Sequence, residues 1–304
     1  MHYFKFRQGL RPIRTKPNLF LGTWIHKGLE EYYRAGTWND TLKELSRLTE
    51  VMFDEEKEFY RDPLEMVKLL LSSYKWHYRK NDFEPIMTEE TFECTLGTLR
   101  GVRVNLRGRI DIYAQWYDNY WVIDHKSTKS RLPLSREISN SMDFQLSLYP
   151  HVLQKCYGKP VAGTAYNYVR AKVPGKPQLT KKGILSKRKV DTTPYVLALS
   201  LKELGFDIKD FKNQIKDLSL TQTFFDRVRV PREKISTQKV VDDVIHWAVW
   251  LHTYKNPTRT VTFLCDNNCD YSSLCLADFH GHDSKDLLGD YELSDPFDYL
   301  EEDR

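Results

Sequence analysis

Asp111, Asp124 and Lys126 lie within Arg107–Thr128 (RGRIDIYAQWYDNYWVIDHKST), where apolar and polar residues alternate. Carboxylate oxygens are hard ligands that hold Mg²⁺ or Mn²⁺, ions that keep part of their water shell and accept phosphate oxygens. A metal held this way lowers the pKa of a bound water and offsets charge on a phosphorane-like transition state. A lysine beside it can orient that water or help deprotonate it. Two acids and a lysine on a rigid sheet therefore suit phosphodiester hydrolysis. Asp-x-Lys alone is common by chance, and a salt-bridge ladder on an exposed sheet would use the same residues. The amphipathic ribbon is what strengthens the signal.

That chemistry needs a ribbon to position it. Asp118-Asn119 is a turn signal between two β-rich runs, which predicts a tight antiparallel hairpin with Tyr117 paired to Tyr120. In this register Asp111 faces Lys126, and Asp124 lies diagonally across from Asp111. Arg107, Arg109, Asp111, Tyr113, Gln115, Asp124 and Lys126 share one face. Ile110, Ile112, Ala114, Trp116, Trp121 and Ile123 share the other, which is the expected core face. A three-residue loop would shift the register and break this arrangement.

Upstream, LFLGTWIHKGLEEYYR reads as a helix with Phe20, Trp24 and Tyr32 among its apolar positions. Gly22 leaves room for a close approach to the helix, and His26 projects beside it one turn later. A histidine on a helix is more often a packing residue than a ligand. Residues 39–58 and 62–80 are two further expected helices, the second opened by Asp62 and Pro63. A strand at about 87–97 and a turn at Gly97 to Gly101 lead into the ribbon. After a loop at 127–140, Ser141 to Lys155 is expected to be helical, with Gln145 and Tyr149 on one face. Residues 162–170 alternate like a strand. The next stretch, AKVPGKPQLTKKGILSKRKVDTTP, reads as a mobile basic loop, either a solvated insertion or a phosphate-contacting flap. Beyond it the pattern predicts helices at 194–204 and 207–217, a strand at 222–230 and a helix at 234–253.

The 304-residue chain has 40% hydrophobic and 29% charged residues, ordinary values for a globular protein. No run approaches the roughly 20 apolar residues that span a bilayer, and the start MHYFKFRQGLRPIR lacks an apolar signal core. A cytoplasmic protein with reduced thiols and no membrane partner is expected. The net charge of +4 conceals −6 on residues 285–304 and +10 on the rest. A basic body with an acidic tail suits a polyanionic partner, and an ordinary solvated tail would look the same. Cys265, Cys269 and Cys275 crowd together, a spacing that argues for metal over disulfides in a reducing compartment. There is no P-loop, no GxSxG and no sign of a Ser-His-Asp set.

Four short motifs in succession, GTWIH (22–26), GRID (108–111), IDHK (123–126) and QLSLY (145–149), resemble the PD-(D/E)XK nuclease superfamily. Its RecB-type branch of phage and CRISPR-adaptation exonucleases shows GxxxH, GxxD, (D/E)xK and QxxxY in that order. The resemblance implies an α/β fold: a mixed central sheet flanked by helices, with a restriction-endonuclease-like αβββαβ core, helical insertions and a C-terminal cysteine cluster. It implies one nuclease domain over 1–283, with a core at about 18–170 and a helical and cysteine-bearing part at about 194–283, then an acidic tail at 284–304. It also implies a Mg²⁺- or Mn²⁺-dependent deoxyribonuclease, an exonuclease acting on single-stranded DNA or duplex ends.

Carried over by position, Asp111 and Asp124 resemble the metal-binding acids, Lys126 the catalytic lysine, and His26 the helical histidine that completes the metal shell. The main-chain carbonyl of His125 would be a further ligand, with its ring structural. Gln145 and Tyr149 resemble the pair that positions the DNA strand and supports the active site. Cys265, Cys269 and Cys275 look like the last three ligands of a [4Fe-4S] cluster, with x3 where x2 is commoner in the first gap. Cys94 or Cys156 could supply a fourth ligand, His280 or His282 could complete a Zn²⁺ site, and structural thiols are the plain alternative. Recombination or replication proteins are expected partners of such an enzyme, while no residue fixes an oligomeric state. The competing function is a catalytically silent nucleic-acid-binding or recombination accessory subunit with a structural metal or cluster.

Overall fold

The computed structural model describes residues 3–13, 17–60, 62–79, 83–186, 188–221, 223–254, 259, 261, 262, 265 and 269–295, without the side chains of 3, 17, 18 and 58. In chain order the principal elements are β1 (Leu10–Pro12), α1 (Pro17–Ala35), α2 (Asn39–Val51), α3 (Asp54–Tyr60), α4 (Pro63–Tyr78), β2 (Glu84–Leu99), β3 (Val102–Trp116), β4 (Asn119–Thr128), α5 (Glu137–Ser141), α6 (Phe144–Tyr157), β5 (Gly163–Arg170), α7 (Pro194–Glu203), α8 (Lys212–Thr221), β6 (Phe225–Pro231), α9 (Lys234–Thr253), α10 (Ser272–His280), α11 (Lys285–Leu288) and β7 (Tyr291–Leu293). The five longer strands form one mixed sheet in the order β2-β3-β4-β5-β6, with β4 and β5 parallel. This is the α/β architecture with a central mixed sheet flanked by helices.

Chain contacts divide the molecule into two compact units. The larger comprises Pro17–Glu90 and Ile110–Val240. In it, the face of β4 and β5 that carries Ile123 and Ala165 packs with Ile112, Ala114, Trp116, Trp121 and Phe83. A second cluster joins α1, α2 and α4 through Ile25, Leu29, Leu45, Leu70, Leu71 and Tyr74, and takes in Val169 of β5. Gly28 lets α1 and α4 approach, since a Cβ there would collide with Leu71 Cδ1. The opposite face of β4 and β5 is covered by α6, which Asp143 caps by accepting the Leu146 N–H at 2.8 Å.

The smaller unit comprises Met1–Lys16, Thr91–Arg109 and Val241–Arg304. Phe4, Leu10, Tyr271 and Leu274 form its small core, with Cys269, Cys275, Leu287 and Tyr291 packed against it. β1 pairs antiparallel with β7, Leu10 opposite Leu293. The start of the acidic stretch is therefore built into a sheet; residues 296–304 lie outside those described.

The expected helix over 39–58 is two helices. The break falls at Met52-Phe53, where Glu56 turns back to accept the Phe53 N–H at 3.1 Å and starts α3 afresh. Among the described residues no helix is long and apolar enough to cross a membrane.

Candidate active site

β3 and β4 pair with Trp116 opposite Asn119 and Ile112 opposite Ile123. The two turn residues are thus Tyr117 and Asp118, and Tyr117 supplies the left-handed conformation such a turn needs, with φ 55°. This corrects the expected pairing by two residues. Side chains alternate with period two, so a two-residue slide keeps each on its face and changes only its opposite number. Continued in this register, Asp111 stands opposite Asp124 instead of Lys126. The His125 N–H donates to Asp111 Oδ2 at 2.8 Å across the same pair of strands.

The site-bearing face is not open to solvent along its length. Asp124 is 2% exposed, and Tyr113 on the same face is equally buried. Lys126 Nζ lies 2.8 Å from Asp124 Oδ2 and donates to Gln145 Oε1 at 3.0 Å. Gln145 Nε2 in turn donates to Tyr149 Oη at 2.7 Å. The four-residue spacing on α6 thus produces a relay, Tyr149–Gln145–Lys126–Asp124, that fixes the lysine. His26 arrives from α1, its Nδ1 3.8 Å from Asp111 Oδ2. Gly22 is the reason α1 can come so near: a Cβ there would stand 2.7 Å from Ser127 Oγ of β4.

Burial, and then Asp111 beside it, push the Asp124 carboxyl well above the usual carboxylate range, while Lys126 and His26 only partly oppose this. Burial works against the charge on Lys126, but Asp124 and Asp111 outweigh it and hold its pKa above the ordinary lysine value. Lys126 therefore stays an ammonium.

Two facing carboxylates with a nearby imidazole are a donor set that suits a divalent cation with hard-ligand preference. Among the described residues, no group of three or more His, Cys, Asp or Glu side chains is arranged to hold a metal as it stands. The reason is visible: Asp124 is turned into an ion pair with Lys126, and Asp111 accepts the His125 N–H. The donors fit Mg²⁺ or Mn²⁺ in kind.

The His125 ring lies on the opposite, apolar face, as its strand position requires. It is 1% exposed and pairs through Nδ1 with Asn167 Nδ2 at 2.6 Å. Burial holds its pKa well below the ordinary histidine value, so the ring is neutral. Asn167 also donates to Tyr74 Oη at 2.8 Å and accepts from Arg227 Nε at 3.1 Å. Arg227 Nη2 bonds both Tyr33 Oη and Tyr74 Oη, and its guanidinium lies 3.5 Å over the Tyr78 ring. This polar cluster behind the ribbon was missed in the sequence, as were Tyr166 and Tyr168, which pair with Asp124 and Lys126 on the site side. The alternation of GTAYNYVR would have exposed all three β5 residues had β5 been paired with β4.

Cys265, Cys269 and Cys275 are of intermediate burial, and among the described residues no metal-holding group is found around them. Cys94 and Cys156 are disulfide-bonded. This corrects the expectation of reduced thiols for these two and removes both as fourth ligands.

This geometry makes two changes informative. Gly22→Ala gains about 1 kcal/mol of helix propensity but crowds Ser127 at a cost of about 1–3 kcal/mol. A net loss of stability is expected, and Gly22→Ala/Ser127→Ala should recover it, because the clashing atom is Oγ; thermal melts of both variants check this. Asp124 is the second case. Its carboxyl is raised to about 7 in the folded chain, so its contribution to stability is present at low pH and is lost as pH rises through that value. A divalent ion takes the ionised form, so Mn²⁺ should raise the melting temperature by several degrees at pH 8 and little at pH 5.5. Asp124→Asn should lose both the pH trend and the metal effect in the same melts.

Among known proteins, the chain matches the PD-(D/E)XK nuclease superfamily over residues 1–276. No curated protein matches it in sequence. Solved structures with some likeness include the protein SSO0001, at 13% identity and TM-score 0.31 over 84% of each chain. A candidate exonuclease of Eubacterium rectale shows 11% identity and TM-score 0.31, over 84% of this chain and 80% of that one. Likenesses this faint say nothing about activity. The superfamily match takes in the ribbon, α1 and α6 together, and the chain belongs to the PD-(D/E)XK nuclease superfamily.

Proposed function

We propose that this nuclease is a Mg²⁺- or Mn²⁺-dependent deoxyribonuclease of the RecB-type branch, an exonuclease working from single-stranded or duplex DNA ends. The observation that carries the metal dependence is the buried Asp124 facing the half-buried Asp111: burial first, and then repulsion from Asp111, raise the Asp124 carboxyl, and a divalent cation would relieve both. Asp111 and Asp124 would hold the ion, with His26 and the His125 carbonyl as the remaining protein ligands. Such an ion supplies Lewis acidity at the phosphate and lowers the pKa of a bound water.

The chain's own residues do the rest. An ammonium has three donors; Lys126 commits one of them to Gln145 and forms an ion pair with Asp124 Oδ2 at 2.8 Å. A remaining donor can be offered to the attacking water or to a non-bridging phosphate oxygen. Beside Asp124 and Asp111, which raise its pKa against burial, Lys126 is a donor and a fixed charge before the ion binds; with the ion on both acids it would orient the water or help deprotonate it. Gln145 and Tyr149 keep its amine in place. Arg227, Asn167 and Tyr74 hold the strand segment that carries His125 from behind.

The test compares end-labelled linear DNA, single- and double-stranded, with covalently closed circles of the same sequence, in Mg²⁺, in Mn²⁺ and in EDTA. Loss of linear DNA from its ends, in metal only, is expected. Equal cutting of circles would replace the exonuclease by an endonuclease, and cutting in EDTA would remove the metal.

A further inference from the structure

Between Ala171 and Val190 the chain has seven bases and no acid. A solvated insertion of that composition repels itself and needs no anchor. This one is anchored. Arg170, 8% exposed, donates from Nη1 to both carboxylate oxygens of Asp191, at 3.1 and 2.9 Å. Lys172 Nζ reaches the same carboxylate at 2.6 Å, and the Gly175 N–H donates to the Asp191 carbonyl at 2.9 Å. One acid thus neutralises two bases at the root and pins both ends of the segment.

Beyond the root the segment closes on itself as a small hairpin. Leu179 bridges Leu185, the Thr180 N–H donates to the Ile184 carbonyl at 2.7 Å, and the Ser186 N–H to the Gln178 carbonyl at 2.8 Å. Gly183, at φ 72°, makes the turn. Lys181 and Lys182 are exposed on it, Arg188 and Lys189 are exposed after it, and among the described residues none of the four forms an ion pair.

The position matters as much as the charge. The hairpin leaves the sheet at the carboxyl end of β5, where Lys126 pairs with Tyr168 and Thr128 with Arg170. The Ala171 N–H still bonds the Thr128 carbonyl at 2.8 Å. Ligands of α/β sheets collect beyond the carboxyl ends of parallel strands. The segment therefore starts three residues past Tyr168, the partner of Lys126. It was expected from sequence to be mobile, and instead it is held at its root.

We infer that the hairpin 178–186, with Arg188 and Lys189 after it, is a clamp on the sugar-phosphate backbone of a polynucleotide, with Lys181, Lys182, Arg188 and Lys189 as its phosphate contacts. The inference rests on the nuclease reading for its ligand class and adds the surface that grips the strand. Charge contacts of this kind are indifferent to base sequence and weaken with salt.

The test measures binding of a fluorescein-labelled thymidine homopolymer in EDTA at several salt concentrations. The wild type is compared with K181A/K182A/R188A/K189A and with K209A/K212A/K216A, three exposed bases at and before α8. The hairpin variant should lower the slope of log affinity against log salt by about 2 to 3, and its affinity roughly 100-fold, with an unchanged melting temperature. The α8 variant should stay near wild type. Wild-type slope and affinity in the hairpin variant would overturn the clamp and leave the nuclease reading intact. An equal loss in the α8 variant would also overturn it, by showing bulk charge alone. If the wild type neither binds the strand nor degrades DNA in Mg²⁺ or Mn²⁺, the clamp and the nuclease reading fall together.

Discussion

Lys126→Ala should lower the rate of DNA hydrolysis by about 100- to 1,000-fold, the usual cost of removing one donor aimed at developing charge. The fold should survive, because the lysine side chain is one-third exposed and the rest of its strand is held on both faces. Its loss does leave Asp124 buried beside Asp111 with less positive charge near it. The Asp124 carboxyl should therefore titrate still higher, and the apo protein should soften as pH rises. Lys126→Arg distinguishes charge from placement. A guanidinium keeps the charge but replaces a compact ammonium with a planar fork, which cannot repeat both the ion pair with Asp124 and the hydrogen bond to Gln145. If placement matters, Arg should recover stability and little of the rate. Single-turnover rates and melting curves of the three proteins check both halves.

Arg227→Met should be the most destabilising of the single changes discussed, at about 3 kcal/mol, the scale for breaking a buried charged hydrogen-bond network. The guanidinium bonds Asn167, Tyr33 and Tyr74 at 3.1, 2.8 and 2.7 Å and stacks over Tyr78. Methionine fills much of the volume, so the cost is mainly polar. It leaves the Asn167 carbonyl and two tyrosine hydroxyls short of a donor. For a chain of this size a fall of roughly 6–12 °C in melting temperature corresponds. A secondary loss of activity should accompany it, because Asn167 is the partner of His125 and the His125 N–H holds Asp111. A melting temperature within a degree of wild type would show that the cluster is merely tolerated.

Arg227 also marks where sequence reading runs out. The ribbon was legible because its signals are local: alternation assigns each residue a face, and the faces of Asp111, Asp124, Lys126 and His125 are those observed. Their pairing was not legible to the same degree. Asp118-Asn119 looked like the turn centre, yet Tyr117 takes the left-handed position, and nothing in its chemistry announces this. The slide of two residues kept the faces and moved Asp111 from Lys126 to Asp124. Gln145 and Tyr149 were found through their spacing on one helix, but their coupling to Lys126 needed the position of α6. Asn167 and Arg227 lie 60 residues apart and meet only because β6 pairs beside β5. Strand order carries that information, and single-residue chemistry does not. The helix break at Met52-Phe53 was hidden for a different reason: helix formers on both sides mask a local cap.

The central claim is that the facing aspartates hold a divalent ion with which this chain hydrolyses DNA. Its most direct measurement compares wild type with Asp111→Asn/Asp124→Asn, each shown to be folded by its melting curve, on end-labelled linear DNA with Mn²⁺. Calorimetric Mn²⁺ titration of both proteins accompanies the assay. Metal binding and degradation are expected of the wild type and neither of the variant. Degradation by the variant at the wild-type rate, or Mn²⁺ bound equally by both, would contradict that claim.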